Sequence, residues 1–218
     1  MIVLNFKAYS QSVGVNAQNL LINLSNANLK EIKVVAAVQT IDIQNLAKLN
    51  KFEIWAQHID PIDEGPKTGW VSASSVKESG AVGTLLNHSE HKFANVDDLK
   101  IAHQKAKEVG LKTLIFASDI EEFKKLIELK PDYVSYEPPE FIGRTDISVA
   151  TAKPEVISEV FEIAKKAGIP LIVGAGIHDK TDIQKSLQLG AIGIAVATNI
   201  VKADDPKTAL ENLIEGFK

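Results

Sequence analysis

Lys7, His88 and Glu137 are three side chains whose types and settings could together move a proton. Each closely follows a short apolar run. Asn5-Phe6-Lys7 follows 2–4, Asn87-His88-Ser89-Glu90 follows 81–86, and Glu137-Pro138-Pro139-Glu140 follows 133–136. A cation can act as an electrostatic clamp, an imidazole as an electrophile and a carboxylate as a general base. Two further runs end in small residues: Gly174-Ala175-Gly176 follows 171–173, and Ala197-Thr198 closes 193–197. Small residues let backbone N–H groups approach an anion. Clamp, electrophile, base and anion cradle are the parts needed to shift a proton on a small phosphorylated sugar.

Each motif alone has a plainer explanation. Asn5 and Lys7 are two apart, so on extended backbone they point the same way. A lysine turned inward there is a buried charge in need of an anion; turned outward it is a solvated loop residue. Ser89 and Glu90 read as the first residues of a short helix, which would put His88 at a helix N-terminus. A neutral imidazole there could donate a hydrogen bond to a carbonyl as charge develops on it. The alternative is a loop histidine with a backbone partner. Glu137 sits before two prolines that stiffen the chain as it leaves the strand; otherwise it is a solvated turn residue. Gly-x-Gly can be turn chemistry alone. His58, His91, His103 and His178 lack comparable company and read as structural or solvated.

The elements that must position these motifs alternate regularly. Short β-rich runs cover 2–4, 34–38, 53–57, 81–86, 113–117, 133–136, 171–173 and 193–197, with amphipathic stretches between them. Helices are predicted over 97–109, 154–167 and 179–189, stopping at Gly110, Gly168 and Gly190, with Pro154 in the first turn of the second. Near-continuous apolar strands separated by helices indicate a parallel α/β array. An open doubly wound sheet and a closed (β/α)8 barrel both fit this pattern. Eight units without a composition break favour the barrel, as one domain over 1–218. Barrels of this type carry their active sites at the C-terminal ends of the strands, and every motif above falls there. Two long loops, 58–71 and 137–152, are candidates for functional or partner-bound segments.

Bulk properties narrow the partners. The 218 residues carry a net charge of −4, which argues against a general binder of nucleic acid or membrane surfaces. There is no cysteine, hence no disulfide or thiolate metal site. No apolar run approaches a membrane span, and the N-terminus runs straight into a motif without room for a signal segment, so a soluble cytoplasmic protein is expected. Arg144 is the only arginine, and it lies in the loop after Glu137.

Asn5-x-Lys7, Ala56-Gln57-His58, Asn87-His88-Ser89-Glu90, Glu137-Pro138-Pro139-Glu140-x-Ile142-Gly143 and Gly174-Ala175-Gly176, in that order, resemble the triosephosphate isomerase family in its short archaeal-type form. The resemblance covers essentially the whole chain. It implies a TIM barrel that interconverts dihydroxyacetone phosphate and D-glyceraldehyde 3-phosphate in glycolysis and gluconeogenesis, without metal or organic cofactor. It implies that Glu137 is the base, His88 the electrophile, Lys7 the clamp, and that Asn5 helps hold the site. The loop after Glu137 would be a lid. Substrate contacts would fall on Asn5, Lys7, Ile142, Gly143, Gly174, Gly176, Ala197 and Thr198. The family's loop after strand three reaches into a neighbouring subunit, which here is 58–71 with Thr68-Gly69 near its tip and Trp70 beside it. A homo-oligomer follows, a dimer rather than a tetramer, because the middle helices are rich in charge. The chain departs from the family at Thr198-Asn199, where the short form usually reads Ser-Gly, and in a lid one residue longer than usual that includes Arg144. Other readings of the same residues are a different phosphosugar barrel enzyme or a non-catalytic barrel that binds a phosphorylated ligand.

Overall fold

A computed structural model of the chain describes residues 1–141 and 148–217. Eight parallel strands among the described residues close into a barrel in sequence order. They are β1 (Ile2–Asn5), β2 (Val34–Val38), β3 (Glu53–Ala56), β4 (Gly83–Leu86), β5 (Lys112–Ala117), β6 (Tyr133–Tyr136), β7 (Leu171–Val173) and β8 (Gly193–Val196). The ring is sealed where β8 returns to β1, with Ile194 beside Ile2 and Val196 beside Leu4.

The strands are buried on both faces, and alternation divides their side chains between two cores. Val3, Val35, Ala37, Trp55, Leu85, Leu114, Phe116, Ile172 and Ala195 fill the barrel. Ile2, Leu4, Val34, Ala36, Val38 and Ile54 face outward and meet the helices. Trp55 is wholly buried inside, and Gly83 opposite makes room for it: a Cβ at Gly83 would lie 2.4 Å from the indole.

The covering helices are α1 (Val15–Ser25), α2 (Ile43–Ala47), α3 (Ala73–Glu78), α4 (Val96–Glu108), α5 (Ile120–Ile127), α6 (Val149–Ala152), α7 (Pro154–Ala167), α8 (Lys180–Gln188), α9 (Thr198–Val201) and α10 (Pro206–Ile214). Helix α7 matches its predicted span; it begins at Pro154 and ends where Gly168 takes φ 70°. Helix α4 starts one residue early because Asn95 caps it, accepting the Asp98 N–H. Asp179 lies just outside α8 and caps it by accepting from Thr181 and Asp182.

The loop at 58–71 is non-regular, as its sequence implies. Its two ends are tied at one residue: the Asp60 N–H donates to Val71 O at 2.8 Å, and the Val71 N–H donates to the Asp60 carboxylate at 2.6 Å. The described residues of 137–152 include a 3₁₀ turn at Pro139–Phe141 and α6 at Val149–Ala152. Ile142, Gly143 and Arg144, the lid residues singled out in the sequence, lie outside the described residues.

Candidate active site

The inward alternation that stacks apolar layers in the barrel continues upward into a polar layer. Val3 leads to Asn5 and Trp55 to Gln57, while Tyr133, packed on the inner core, leads to Glu137 four residues on. Lys7, His88 and Glu137 line one cavity together with Asn5, Ala175, Gly176, Ala197 and Thr198.

Lys7 reaches this cavity by a different route from the one its spacing suggests. Strand β1 ends at Asn5, and Lys7 takes the left-handed region at φ 50°. Asn5 holds the turn by accepting the Lys7 N–H at 2.9 Å. The two side chains therefore share the cavity through a turn, not through a longer strand. The Lys7 ammonium meets the Glu90 carboxylate at 2.7 Å, which is the anion an inward lysine requires. Gln57 braces this corner by donating to Asn5 Oδ1 at 3.2 Å, Lys7 O at 3.0 Å and Ala37 O at 3.2 Å.

His88 is not at a helix N-terminus. Ser89 and Glu90 form a turn closed by the His91 N–H donating to His88 O at 2.8 Å, and helix begins only at Val96. Asn87 diverts the chain: at φ 60° it takes a conformation that asparagine tolerates, and its Oδ1 accepts the Phe93 N–H. Its amide also donates to Phe116 O and to Glu122 Oε1, each at 3.0 Å. Burial opposes the ionised form of Glu122, but the Lys92 ammonium, the Ser118 N–H and the Asn87 amide outweigh it and hold the carboxyl below its usual range. The turn still orients the imidazole. The Glu90 N–H donates to His88 Nδ1 at 3.2 Å, so that nitrogen is an acceptor and the neutral ring carries its proton on Nε2. Nε2 lies 3.1 Å from Glu137 Oε2.

Glu137 is buried, and its Oε2 makes no aligned hydrogen bond despite that close approach. Its other oxygen rests against Gly174, where a Cβ would come within 2.1 Å of Oε1. Gly174 thus leaves space for the carboxylate, a role that the sequence motif does not reveal. Ala175 and Gly176 take φ 68° and 72°, breaking the chain away from β7. At the first residue of α9, the Thr198 hydroxyl lies 3.0 Å from that of Tyr9. Asn199 sits inside α9, so the glycine freedom found there in the family is not needed.

Three of the histidines read as structural or solvated fit that description. His103 Nε2 lies 2.9 Å from Leu129 O, and His58 stacks on His91 with ring centres 3.9 Å apart. His178 does not, because it lines the cavity beside Asn199. Gln57, Asn87 and His178 were the residues sequence reasoning passed over as working parts. Only Gln57 carried a usable signal, lying two residues beyond inward Trp55. Among the described residues, no group of three or more His, Asp or Glu side chains could hold a metal ion.

Similarity to known proteins agrees with this geometry. The triosephosphate isomerase family model matches residues 1–216. The chain is 36% identical over 214 residues to the triosephosphate isomerase of Thermoplasma volcanium, covering 98% of this chain and 99% of that one. It is 38% identical to the enzyme of Saccharolobus solfataricus, covering 98% and 94% of the two chains. It is 39% identical to that of Methanosarcina acetivorans, covering 98% and 96%. The crystal structure of triosephosphate isomerase from Bartonella henselae superposes with a TM-score of 0.74 at 18% identity, over 95% of this chain and 96% of that one, and shares the fold.

Proposed function

Because this chain belongs to the triosephosphate isomerase family and is an isomerase, we propose that it interconverts dihydroxyacetone phosphate and D-glyceraldehyde 3-phosphate, using Lys7, His88 and Glu137. The observation that carries this reading is the meeting of those three side chains in one cavity, with His88 Nε2 3.1 Å from Glu137 Oε2. Glu137 removes a proton from carbon 1, and the electrons move onto the carbonyl oxygen. The His88 Nε2–H and the Lys7 ammonium stabilise the enediolate as charge builds there. The oxygen on carbon 2 takes a proton and the oxygen on carbon 1 gives one up, an exchange that His88 Nε2 can carry, and Glu137 then returns its proton to carbon 2 as the carbonyl reforms at carbon 1. Asn5 holds Lys7 in place. Backbone at Gly176, Ala197 and Thr198 grips the phosphate, with Ile142 and Gly143 of the lid, while Gly174 makes room for the base. Glu137 Oε2, buried and without an aligned hydrogen bond among the described residues, supports the assignment, because a base must have a lone pair free to accept.

The whole chain, 1–218, acts as one barrel domain in the cytoplasm, within glycolysis and gluconeogenesis. No described helix is long and apolar enough to cross a membrane. The protein assembles as a homodimer through 58–71. Trp70 and Ile41 are 54% and 81% exposed and, with Thr68 and Gly69, line a groove that reaches Asn5, Lys7 and Glu90. Apolar surface of that kind is costly in water and favours a partner. Sedimentation should give twice the mass of the 23.7 kDa chain, and a monomer at micromolar concentration would remove this proposal.

The chemical reading is tested by a coupled assay of the purified protein with either triose phosphate. Glu137→Gln should lose roughly 10² to 10⁴ or more in turnover with thermal unfolding unchanged. An inactive wild type, or a variant turning over at the wild-type rate, would refute the mechanism.

A further inference from the structure

The amide of Asn199 fixes the proton of a neighbouring histidine. Its Nδ2 lies 2.7 Å from Ile177 O and 2.8 Å from His178 Nδ1. An amide nitrogen has two hydrogens and no lone pair to give, so both contacts are donations. Turning the amide over would set its oxygen against the Ile177 carbonyl. Nδ1 of His178 is therefore an acceptor, and the neutral ring carries its proton on Nε2. That nitrogen is buried and has no hydrogen-bond partner among the described residues. A buried donor left unmet is costly, and each such group calls for an explanation.

The surroundings supply one. His178 and Asn199 line the same cavity as Lys7, His88 and Glu137, next to Gly176, Ala197 and Thr198. The ring is held by the Asn199 amide, and the backbone beneath it is anchored as well. Asp182, itself buried, accepts the His178 N–H at 2.9 Å and the Thr151 hydroxyl at 3.1 Å, which ties the loop after β7 to α8. Asn199 ties the same loop to the start of α9.

We infer that His178 is a side-chain ligand of the substrate's phosphate. Its Nε2–H donates to a phosphoryl oxygen, and Asn199 is a positioning residue that sets the tautomer. This rests on reading the cavity as the triose phosphate site, and it adds to the backbone cradle a donor that the sequence motifs do not mark.

Titration of inorganic phosphate by calorimetry tests the inference without requiring turnover. His178→Ala should weaken phosphate binding about tenfold or more, the worth of one hydrogen bond to a charged group. His178→Gln, which keeps an N–H donor, should recover part of that loss, and Asn199→Ala should weaken binding by a smaller factor. In the assay, the loss in kcat/KM for His178→Ala should be about tenfold greater on glyceraldehyde 3-phosphate than on phosphate-free glyceraldehyde; a purely structural role would lower both equally. Nitrogen NMR of the wild type should show Nε2 protonated and its resonance moved by phosphate, which keeps the inference testable if a variant fails to fold. Unchanged phosphate affinity in His178→Ala, equal losses on the two substrates, or an Nε2 resonance indifferent to phosphate would each overturn it. An inactive wild type that still binds phosphate through His178 would remove the isomerase mechanism and leave this assignment standing.

Discussion

The two sides of the rim are built on opposite plans. On the side of β1 to β4 the large polar side chains are matched, although the Ser89 hydroxyl is not. Gln57 makes three hydrogen bonds, Asn87 three, and Lys7 has Glu90 at 2.7 Å. On the side of β6 to β8, two buried polar atoms make no aligned hydrogen bond among the described residues: Glu137 Oε2, 3.1 Å from His88 Nε2, and His178 Nε2. The matched side holds its groups still and is stable in its own right. The unmatched side keeps free lone pairs and hydrogens, which are costly in the empty protein and become useful when a substrate supplies the missing partner. The teaching is that the clamp and the electrophile of the proposed mechanism are held in closed networks, whereas the base keeps an oxygen without an aligned hydrogen bond. Substitutions should therefore divide accordingly.

The largest effect expected from this division is at Gly174. A methyl group there would sit 2.1 Å from Glu137 Oε1 and 3.0 Å from Cδ, so the carboxylate must shift. Displacing a base by about 1 Å costs on the order of 10² in rate, whereas overpacking costs about 1–3 kcal/mol of stability. Gly174→Ala should thus be a folded protein with kcat/KM down at least about a hundredfold, measured in the coupled assay alongside urea unfolding. If stability collapses while the surviving folded fraction keeps its specific activity, the unmatched side is structural after all and the contrast fails.

Much of this contrast was legible in the sequence, but unevenly. Strand positions could be read because both faces of each strand are buried and the runs are almost uninterrupted, as at Val34–Val38, where the predicted and observed bounds coincide. Helix α7 could be read because Pro154 and Gly168 mark its ends. Backbone that leaves a regular element could not. Periodicity assumes extended or helical geometry, and Lys7 and Asn87 both sit at positive φ, which is why Lys7 seemed to continue a strand and Ser89 to begin a helix. His178 was hidden for another reason. Its meaning comes from Asn199, 21 residues away, and no local pattern links the two. Gly174 was visible as a turn glycine, but its contact with Glu137 depends on the closure of β6 beside β7.

The smallest effect belongs to the matched side, and its pH dependence gives the sharper reading. Glu122 supports the turn that carries His88, through Asn87, and its carboxyl is held below the usual range even though burial opposes ionisation. A carboxyl depressed in the folded state contributes stability above its unfolded pKa, and that contribution is lost as pH falls through the folded value. Glutamine in its place keeps an acceptor for the Ser118 N–H but loses the charge that faces Lys92 at 2.9 Å. Glu122→Gln should therefore be less stable than wild type by about 1–2 kcal/mol at neutral pH. The gap should close in acid, where the protonated wild-type carboxyl resembles the amide. Because Glu122 reaches His88 only through Asn87, kcat/KM at neutral pH should fall by no more than a few fold, roughly the effect of a slightly loosened His88 turn. Urea unfolding of both proteins across the acid range reads the first expectation and the coupled assay the second. A stability gap that persists unchanged in acid would show that the charge of Glu122 is irrelevant. A rate loss as large as that of Gly174→Ala would show that Glu122 controls the placement of His88 far more tightly than its contact through Asn87 implies.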